Sequence, residues 1–202
     1  RYEFKTTRKQ ICKVLDAITE ATQPLLYVGG GAISSNSEKE LKEFVEFFKI
    51  PITTTLMGKS IFDENHPLAL GMLGMHGTVY ANYSVSGCDL LIAVGTRFDD
   101  RVTGKLEEFA CNAQVIHMDI DPAEVGKNRT PEIVLVGDVK ILLQELIKEQ
   151  MNHGEYNCDQ TLPWRERITK WKKNFPLLIP STNQTISPQE VISKVSKILP
   201  NS

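Results

Sequence analysis

The chain has 202 residues, of which 41% are hydrophobic and 24% are charged, a composition typical of a soluble globular protein with a substantial core. Its net charge of -2, with Lys and Arg scattered among acids, argues against a nucleic-acid-binding surface. The chain lacks a CxxC pair and a run of about 18 apolar residues, so we expect no metal site, reduced cysteines and no membrane span. Because the first residue is Arg1 and not Met, we expect an excised piece of a longer protein.

Helices and strands are predicted to alternate from the start of the chain. Apolar residues at helical spacing predict a helix over residues 7–22, and the apolar segment 25–28 predicts a buried strand. Three glycines follow this strand. Ser37 and Glu40 have the spacing of a capping box, which predicts a helix from about residue 37 to residue 49.

Four further segments lead to the centre of the predicted sheet. The β-branched segment 50–56 predicts a strand, whereas HPLALGMLGMHG, residues 66–77, has no clean period and predicts a loop over the carboxyl edge. Residues 78–86 predict a helix, which Gly87 would end as a left-handed C-cap. The five apolar residues 90–94 predict a strand buried on both faces.

The remaining elements define the fold class. A short helix is predicted at 105–110, strands at 114–120 and 133–136, and a helix at 141–150. Five strands, each separated from the next by a helix or a crossover, predict an α/β fold. We expect a doubly wound, mostly parallel, Rossmann-like sheet with helices on both faces.

We expect the chain to divide near residue 150. Residues 1–150 would form the α/β domain, and residues 151–186 an appended helix, near 162–175, with a linker. Residues 187–202 would begin a following domain, with a helix that starts from a Ser-Pro pair.

A cluster of charge follows the central strand. Arg97, Asp99, Asp100 and Arg101 come within one turn of its end. Ligands of open α/β sheets bind outside the carboxyl ends of the strands, so we expect a polar site here. The alternative is a solvated loop in which the two arginines pair with the two aspartates.

Other candidate residues follow other predicted strands. The glycine turn at 29–31 could approach a phosphate closely, although a flexible surface turn is equally compatible with three glycines. Asp119 and Asp138 could accept ribose hydroxyls, with helix capping as the alternative for Asp138. His76 could meet a ligand, and three apolar side chains could line a slot or simply fill the core: Leu73, Met75 and Phe98. By themselves, these residues support a nucleotide-binding α/β domain and show no acid–base pair or catalytic triad.

Several longer motifs add a family resemblance that covers residues 1–199. Besides LYVGGG and ITTTLMG, the chain contains MLGMHG at 72–77, GTRFDDRVTG at 95–104 and HMDID at 117–121. In order and spacing they resemble the catalytic subunit of acetohydroxyacid synthase (acetolactate synthase), and in particular its central FAD-binding domain. This family depends on thiamine diphosphate and Mg²⁺.

The resemblance implies two sets of site residues. Met75, Asp100 and Arg101 would face the substrate channel, where a guanidinium suits the carboxylate of a second 2-oxo acid. Met57 departs from the family, in which Gln is common at this position, so a side-chain hydrogen bond to the flavin would be lost. The implied FAD contacts are Gly29, Gly30, Gly31, Thr55, Leu56, Met57, Leu73, Gly74, Met75, His76, Gly95, Arg97, Asp99, Arg101, Val102, Asp119, Ile120 and Asp138.

The resemblance also implies an activity that this chain cannot complete alone. The parent enzyme would decarboxylate pyruvate and join the product to pyruvate or 2-oxobutyrate, in branched-chain amino acid synthesis, while FAD undergoes no net redox change. The catalytic glutamate would lie in a preceding domain and the diphosphate and metal motif in a following one. A homodimer or homotetramer, a regulatory small subunit and a location in bacterial cytoplasm or plastid stroma are implied as well.

Two alternatives stay open at this point. A sister thiamine enzyme, of the pyruvate oxidase or glyoxylate carboligase type, would use the same central fold, but FDDRVTG favours acetohydroxyacid synthase. A non-catalytic, electron-carrying nucleotide module is the second alternative. The redox behaviour of a bound flavin would identify it.

Overall fold

The computed structural model describes residues 6–98, 109–153, 155–178 and 186–199. The helices are α1 (Arg8–Glu20), α2 (Gly30–Ser34), α3 (Glu38–Phe48), α4 (Val79–Gly87), α5 (Val139–His153), α6 (Leu162–Asn174) and α7 (Pro188–Ile198). The strands are β1 (Pro24–Val28), β2 (Ile52–Thr54), β3 (Ala69–Met72), β4 (Leu90–Val94), β5 (Gln114–Asp119) and β6 (Ile133–Val136). Short 3₁₀ turns lie at Leu56–Gly58 and Cys158–Thr161.

The six strands form one sheet in the order β3-β2-β1-β4-β5-β6, and every pair is parallel. This order confirms the predicted doubly wound, Rossmann-like fold. The order reverses direction between β1 and β4, where Val28 pairs with Val94. Connections on the two sides of this point run in opposite directions and leave a crevice at the carboxyl ends of the strands.

The helices cover both faces of the sheet because side chains alternate along each buried strand. Leu26 and Val28 of β1 join a core beneath α1, α3 and α5. Leu25 and Tyr27 point to the other face, into a core completed by α4 and α6. The continuous apolar runs of β1 and β4 are thus explained by burial on both sides.

The predicted loop 66–77 is wrong in part, because Ala69–Met72 forms β3 at the edge of the sheet. The strand is short and only half of it is buried, and Gly71 has a φ of +70°. These features are typical of an edge strand, and they leave no alternating apolar pattern in the sequence. The predicted strand at 50–56 is shorter than expected, since its last residues enter a 3₁₀ turn.

Two predicted helix caps are also wrong. Helix α3 begins at the expected place, but Ser37 makes no capping bond, and its hydroxyl donates instead to the Ala32 carbonyl at 2.8 Å. Helix α4 ends at Gly87 without a left-handed residue, since Cys88 that follows is extended. A Cβ on Gly87 would lie 3.3 Å from the Trp164 ring, so close helix packing explains this glycine.

Helix α6, predicted as an appended element, packs directly on the sheet. Its Trp164 is buried, and the indole Nε1 donates to the Pro24 carbonyl at 3.1 Å. Ile168, one turn later, is buried in the same core. Helix α7 contains no buried residue, and the predicted division near residue 150 stays a prediction.

Candidate functional site

Two glycine turns meet at the carboxyl edge, where the strand order reverses. The Gly29 N–H donates to the Val94 carbonyl at 2.9 Å, and the Gly31 N–H donates to the Gly95 carbonyl at 3.0 Å. A Cβ on Gly29 would lie 2.3 Å from the Gly95 oxygen, and Gly95 itself has a φ of +57°. Both positions therefore require glycine. The contact between the two turns is enough to explain them without a ligand.

The turn after β2 packs against the same backbone. The Thr55 N–H donates to the Val28 carbonyl at 2.9 Å, and a Cβ on Gly58 would lie 2.5 Å from that oxygen. This packing places Met57 beside Gly30, whose added Cβ would lie 3.1 Å from the Met57 Cβ. The turns after three adjacent strands thus form one bare, closely packed strip of main chain.

Four large apolar side chains are exposed along this edge. Leu56, Met57, Met75 and Ile120 follow strand ends and are 67 to 87% exposed. A single exposed apolar residue is ordinary, but four that follow strand ends at one edge of a sheet are typical of a surface that a ligand covers. All four belong to the predicted FAD contacts.

The loop after β3 carries part of the predicted site. The Thr78 N–H donates to the Met72 carbonyl at 2.8 Å, and Gly77 packs so tightly that a Cβ would lie 2.4 Å from the same oxygen. Met75 and His76 are exposed, as a ligand contact requires. The Leu73 side chain fills the core and does not line an open slot. Only the backbone of this residue belongs to the loop.

The segment after β4 is held from two sides. The Thr96 carbonyl accepts a hydrogen bond from His117 Nε2 at 2.8 Å, while Arg97 is exposed. Asn128 Nδ2 donates to the carbonyls of Arg97 and Phe98 at 3.0 and 3.2 Å. Phe98 is buried against Tyr27, with ring centroids 5.7 Å apart, which confirms the core alternative for that side chain.

His117 is a residue to which the sequence assigned no role. It lies on β5 at 0% exposure, and burial lowers its pKa despite the Thr96 carbonyl and the nearby Asp119. The neutral ring donates through Nε2, because a carbonyl can only accept. Among the described residues, Nδ1 has no hydrogen-bond partner.

Asp119 and Asp138 lie at the ends of β5 and β6, as predicted. Asp119 is buried, and its Oδ1 accepts from the Asp121 N–H at 2.9 Å. Asp138 Oδ1 accepts from the Ile141 N–H at 3.2 Å, which confirms the capping alternative. Both carboxylates thus bind local backbone, and their contact with a ribose stays a prediction.

Four predicted contacts lie outside the described residues. They are Asp99, Asp100, Arg101 and Val102, and the alternative of mutual ion pairs in this segment is equally untested. The structure therefore brings together the glycine turns, residues 55–57, residues 74–76 and Arg97 along one edge. Residues 99–104 of the FDDRVTG motif lie outside the described part of the chain.

Other parts of the molecule offer less to a nucleotide. A cavity of about 520 Å³ lies at the opposite end of the sheet, between α6 and the starts of β2 and β3, away from the glycine turns. Within the described residues, no three His, Cys, Asp or Glu side chains are grouped to hold a metal ion, and no helix is long and apolar enough to span a membrane. The four cysteines are free thiols.

Comparison with known proteins identifies the family. A model described as the central domain of thiamine pyrophosphate enzymes matches residues 11–146. The chain is 59% identical to the acetolactate synthase large subunit of Cyanidium caldarium over 94% of this chain and 33% of that protein. It is 50% identical to that of Parasynechococcus marenigrum, over 95% of this chain and 31% of the relative. The chain is also 46% identical to acetolactate synthase 1, chloroplastic, of Zea mays, over 92% of this chain and 29% of that protein.

The chain spans about a third of the length of these relatives. The resemblance first seen in MLGMHG and GTRFDDRVTG is confirmed by the similarity over nearly the whole chain. The parallel α/β sheet agrees with the matched domain model. The chain therefore belongs to the thiamine pyrophosphate enzyme family and carries the family's central domain.

Proposed function

We propose that this chain is the FAD-binding central domain of an acetolactate synthase large subunit. The complete protein would condense pyruvate with a second pyruvate or with 2-oxobutyrate, and so serve branched-chain amino acid biosynthesis. The printed names of the relatives support this activity. The chain covers only 33% of the first of them, so the reaction belongs to the complete protein and not to this piece.

The observation that carries FAD binding is the main-chain strip beside exposed apolar side chains. The close packing of Gly29 and Gly95 leaves the turns without side chains, so a diphosphate could approach the backbone. Leu56, Met57 and Met75 offer the apolar surface that the planar rings of a dinucleotide require. The residues present thus fit the group, and bound FAD would supply a structural surface without net redox change.

The roles of individual contacts follow from their chemistry. Arg97, exposed at the edge, would pair with phosphate oxygens through its planar fork of donors. Asp119 and Asp138 would accept ribose hydroxyls with oxygens not used by the local turns. Met57 would contact the flavin through apolar surface and backbone only, since it lacks the amide of Gln.

The substrate channel would begin where Met75 is exposed. Met75, Asp100 and Arg101 would line it, and the Arg101 guanidinium would hold the carboxylate of the second 2-oxo acid. A planar bidentate pair fixes both the position and the orientation of a carboxylate. Arg101 would therefore select and orient a substrate without taking part in bond breaking.

The remaining chemistry would come from flanking domains of the complete protein. Thiamine diphosphate with Mg²⁺ would supply the decarboxylation there, which agrees with membership of the thiamine pyrophosphate enzyme family. We further propose a homodimer or homotetramer, a regulatory small subunit, and a location in bacterial cytoplasm or plastid stroma. The chloroplastic name of the Zea mays relative supports the plastid, and a cyanobacterial relative supports the bacterial cytoplasm.

The two alternatives are not favoured. All the relatives named above are acetolactate synthases, whereas a pyruvate oxidase or glyoxylate carboligase would share only the domain. An electron carrier would cycle its flavin between oxidation states. An acetolactate synthase would form product with its flavin spectrum unchanged.

The test uses the complete protein that contains this chain. We expect it to bind FAD more tightly than NAD in a fluorescence titration, and to form acetolactate from pyruvate. Arg101→Ala should reduce the preference between pyruvate and 2-oxobutyrate while pyruvate decarboxylation continues, and Arg101→Lys should restore only part of it. Preference for NAD would refute the flavin site, and unchanged product ratios would leave Arg101 with a structural role alone.

A further inference from the structure

We propose that Asn82 and Asn128, two residues outside the predicted contact set, are positioning residues for the flavin site. Each fixes the backbone of one loop at the carboxyl edge, and each loop carries side chains assigned to FAD. The inference rests on the proposed function, since it assumes that these loops hold a flavin. Beyond that function, we assign to these two side chains the hydrogen bonds that hold each loop where no neighbouring strand does so.

Asn82 binds both main-chain groups of one loop residue. Its Nδ2 donates to the Gly74 carbonyl at 3.0 Å, and its Oδ1 accepts from the Gly74 N–H at 2.8 Å. The amide therefore replaces a neighbouring strand at this position. Gly74 has a φ of +94°, and the exposed Met75 and His76 follow it directly. Fixing Gly74 thus sets the direction in which these two side chains leave the backbone.

Helix α4 gives Asn82 a firm base. Thr78 caps the helix by accepting from the Ala81 N–H at 3.0 Å, and its hydroxyl donates to the Leu70 carbonyl at 2.8 Å. Thr78 and Ala81 are both buried. The start of α4 is therefore hydrogen-bonded to β3. Asn82, one turn into this fixed helix, in turn holds Gly74 of the loop between β3 and α4.

Asn128 holds the segment after β4. Its single amide nitrogen donates to the carbonyls of Arg97 and Phe98, which are consecutive. Phe98 has a φ of +53°, in the left-handed region that costs free energy for a residue other than glycine. Two bonds from Asn128, with the His117 bond to Thr96, stabilise this backbone and so fix the main-chain position from which the exposed Arg97 side chain extends.

Neither asparagine contributes much to the core. Asn128 is exposed and Asn82 is half-buried. Loss of either amide should therefore loosen a loop more than it destabilises the fold. A loosened loop must lose more conformational entropy when the ligand binds, so the cost appears in affinity.

The experiment compares Asn82→Ala and Asn128→Ala in the complete protein with Asn152→Ala. Asn152 also donates to a carbonyl, that of Lys148 at 3.2 Å, but lies at the far end of α5. We expect each of the first two variants to bind FAD about 5- to 10-fold more weakly, from the loss of two hydrogen bonds. Backbone amides at 74–77 or 95–98 should exchange faster in the FAD-free protein, with little change in Tm. The control should match the wild type in all three measurements.

A second variant protects the test against misfolding. Asn82→Asp keeps the acceptor for the Gly74 N–H but turns a carboxylate oxygen toward the Gly74 carbonyl, so its FAD affinity should also fall below that of the wild type. If the wild type binds no FAD, the proposed function and this inference fall together. If the wild type binds FAD and the variants bind it equally well, this inference alone is overturned. A lower Tm with unchanged affinity would also overturn it, because it would show a purely structural role.

Discussion

The two ends of the sheet are closed in different ways. At the amino end, side chains form the closure: Trp164 donates to Pro24, and Asp89 accepts from the N–H groups of Thr22 and Gln23 at 2.8 and 2.9 Å. Lys172 Nζ also donates to two carbonyls beside β3, and burial lowers its pKa. At the carboxyl end, the main chain packs against itself through glycines, and large apolar side chains stay exposed.

This difference separates stability from binding. Side chains that seal the amino end use their polar groups on the protein itself. At the carboxyl end, glycine turns pack backbone on backbone and polar side chains such as Asn82 and Asn128 hold the loops, while the large apolar side chains stay exposed to a ligand. Removal of a buried contact at the amino end should therefore act on folding, whereas a substitution at an exposed apolar residue of the carboxyl end should act on binding.

The largest effect is expected from Trp164→Ala at the amino end. The ring is buried against Gly87 and Trp171, and its removal leaves a cavity and an unpaired Pro24 carbonyl. We expect the free energy of unfolding to fall by about 3–5 kcal/mol, measured by urea denaturation. Phe175→Ala, at an exposed residue of the same region, should cost far less. Equal losses for the two variants would mean that α6 does not seal the sheet.

Gly29→Ala should destabilise the protein at the carboxyl end. The size of this loss distinguishes a closely packed glycine turn from a flexible one. The new Cβ would lie 2.3 Å from the Gly95 oxygen, and backbone atoms on both sides must move. We expect a loss of about 1–3 kcal/mol in urea denaturation together with weaker FAD binding. Gly137→Ala is the matched control, because its Cβ would lie 3.4 Å from the flexible Leu142 side chain. A stable Gly29→Ala protein would refute the close contact.

Leu56→Ser should weaken binding without affecting folding. The side chain is exposed in the FAD-free protein, so its loss removes little packing. If a flavin ring covers it, lost apolar burial of about 1 kcal/mol lowers FAD affinity roughly 5-fold. Leu178→Ser, at an equally exposed leucine near the end of α6, should leave affinity unchanged. An affinity that does not change in Leu56→Ser would remove this leucine from the flavin site.

The smallest effect concerns the pH dependence of stability. Because burial lowers the pKa of His117, the unfolded chain binds a proton more readily than the folded one. Stability from the neutral ring is present above the unfolded pKa of about 6.5, and is lost as pH falls below it toward the folded pKa. In His117→Gln, unfolding free energy measured between pH 5 and 7 should fall less steeply with acid. An unchanged slope in His117→Gln would contradict the pKa shift.

The sequence located most of the fold because buried strands leave a strong local signal. Leu90–Val94 follows from its apolar content alone, and Gln114–Asp119 from the apolar residues Val115, Ile116 and Met118 within it. Edge strand β3 escaped detection, since four half-buried residues with a glycine carry no period. Helix α3 begins where the Ser37–Glu40 spacing predicted it, although the expected Ser37 cap does not form.

Much of the candidate site was also accessible from the sequence. Parallel strands must end at one edge, so residues following β1, β2, β3 and β4 were expected to gather there, and Gly29, Met57, Met75 and Arg97 do. By contrast, the burial of Leu73 and Phe98 and the capping by Asp138 were left as open alternatives. Side-chain direction at a strand end depends on the exact turn, which periodicity does not specify.

The sequence by itself determined the alternation of strands and helices and the family, and it predicted the carboxyl edge as the place for a ligand. Only the tertiary structure decided how that edge keeps its shape. Asn128 lies 31 residues from Arg97, His117 lies 21 residues from Thr96, and Trp164 lies 140 residues from Pro24. No local pattern links such residues, because each bond depends on the packing of distant elements, whereas apolar periodicity reflects only the surroundings of its own segment.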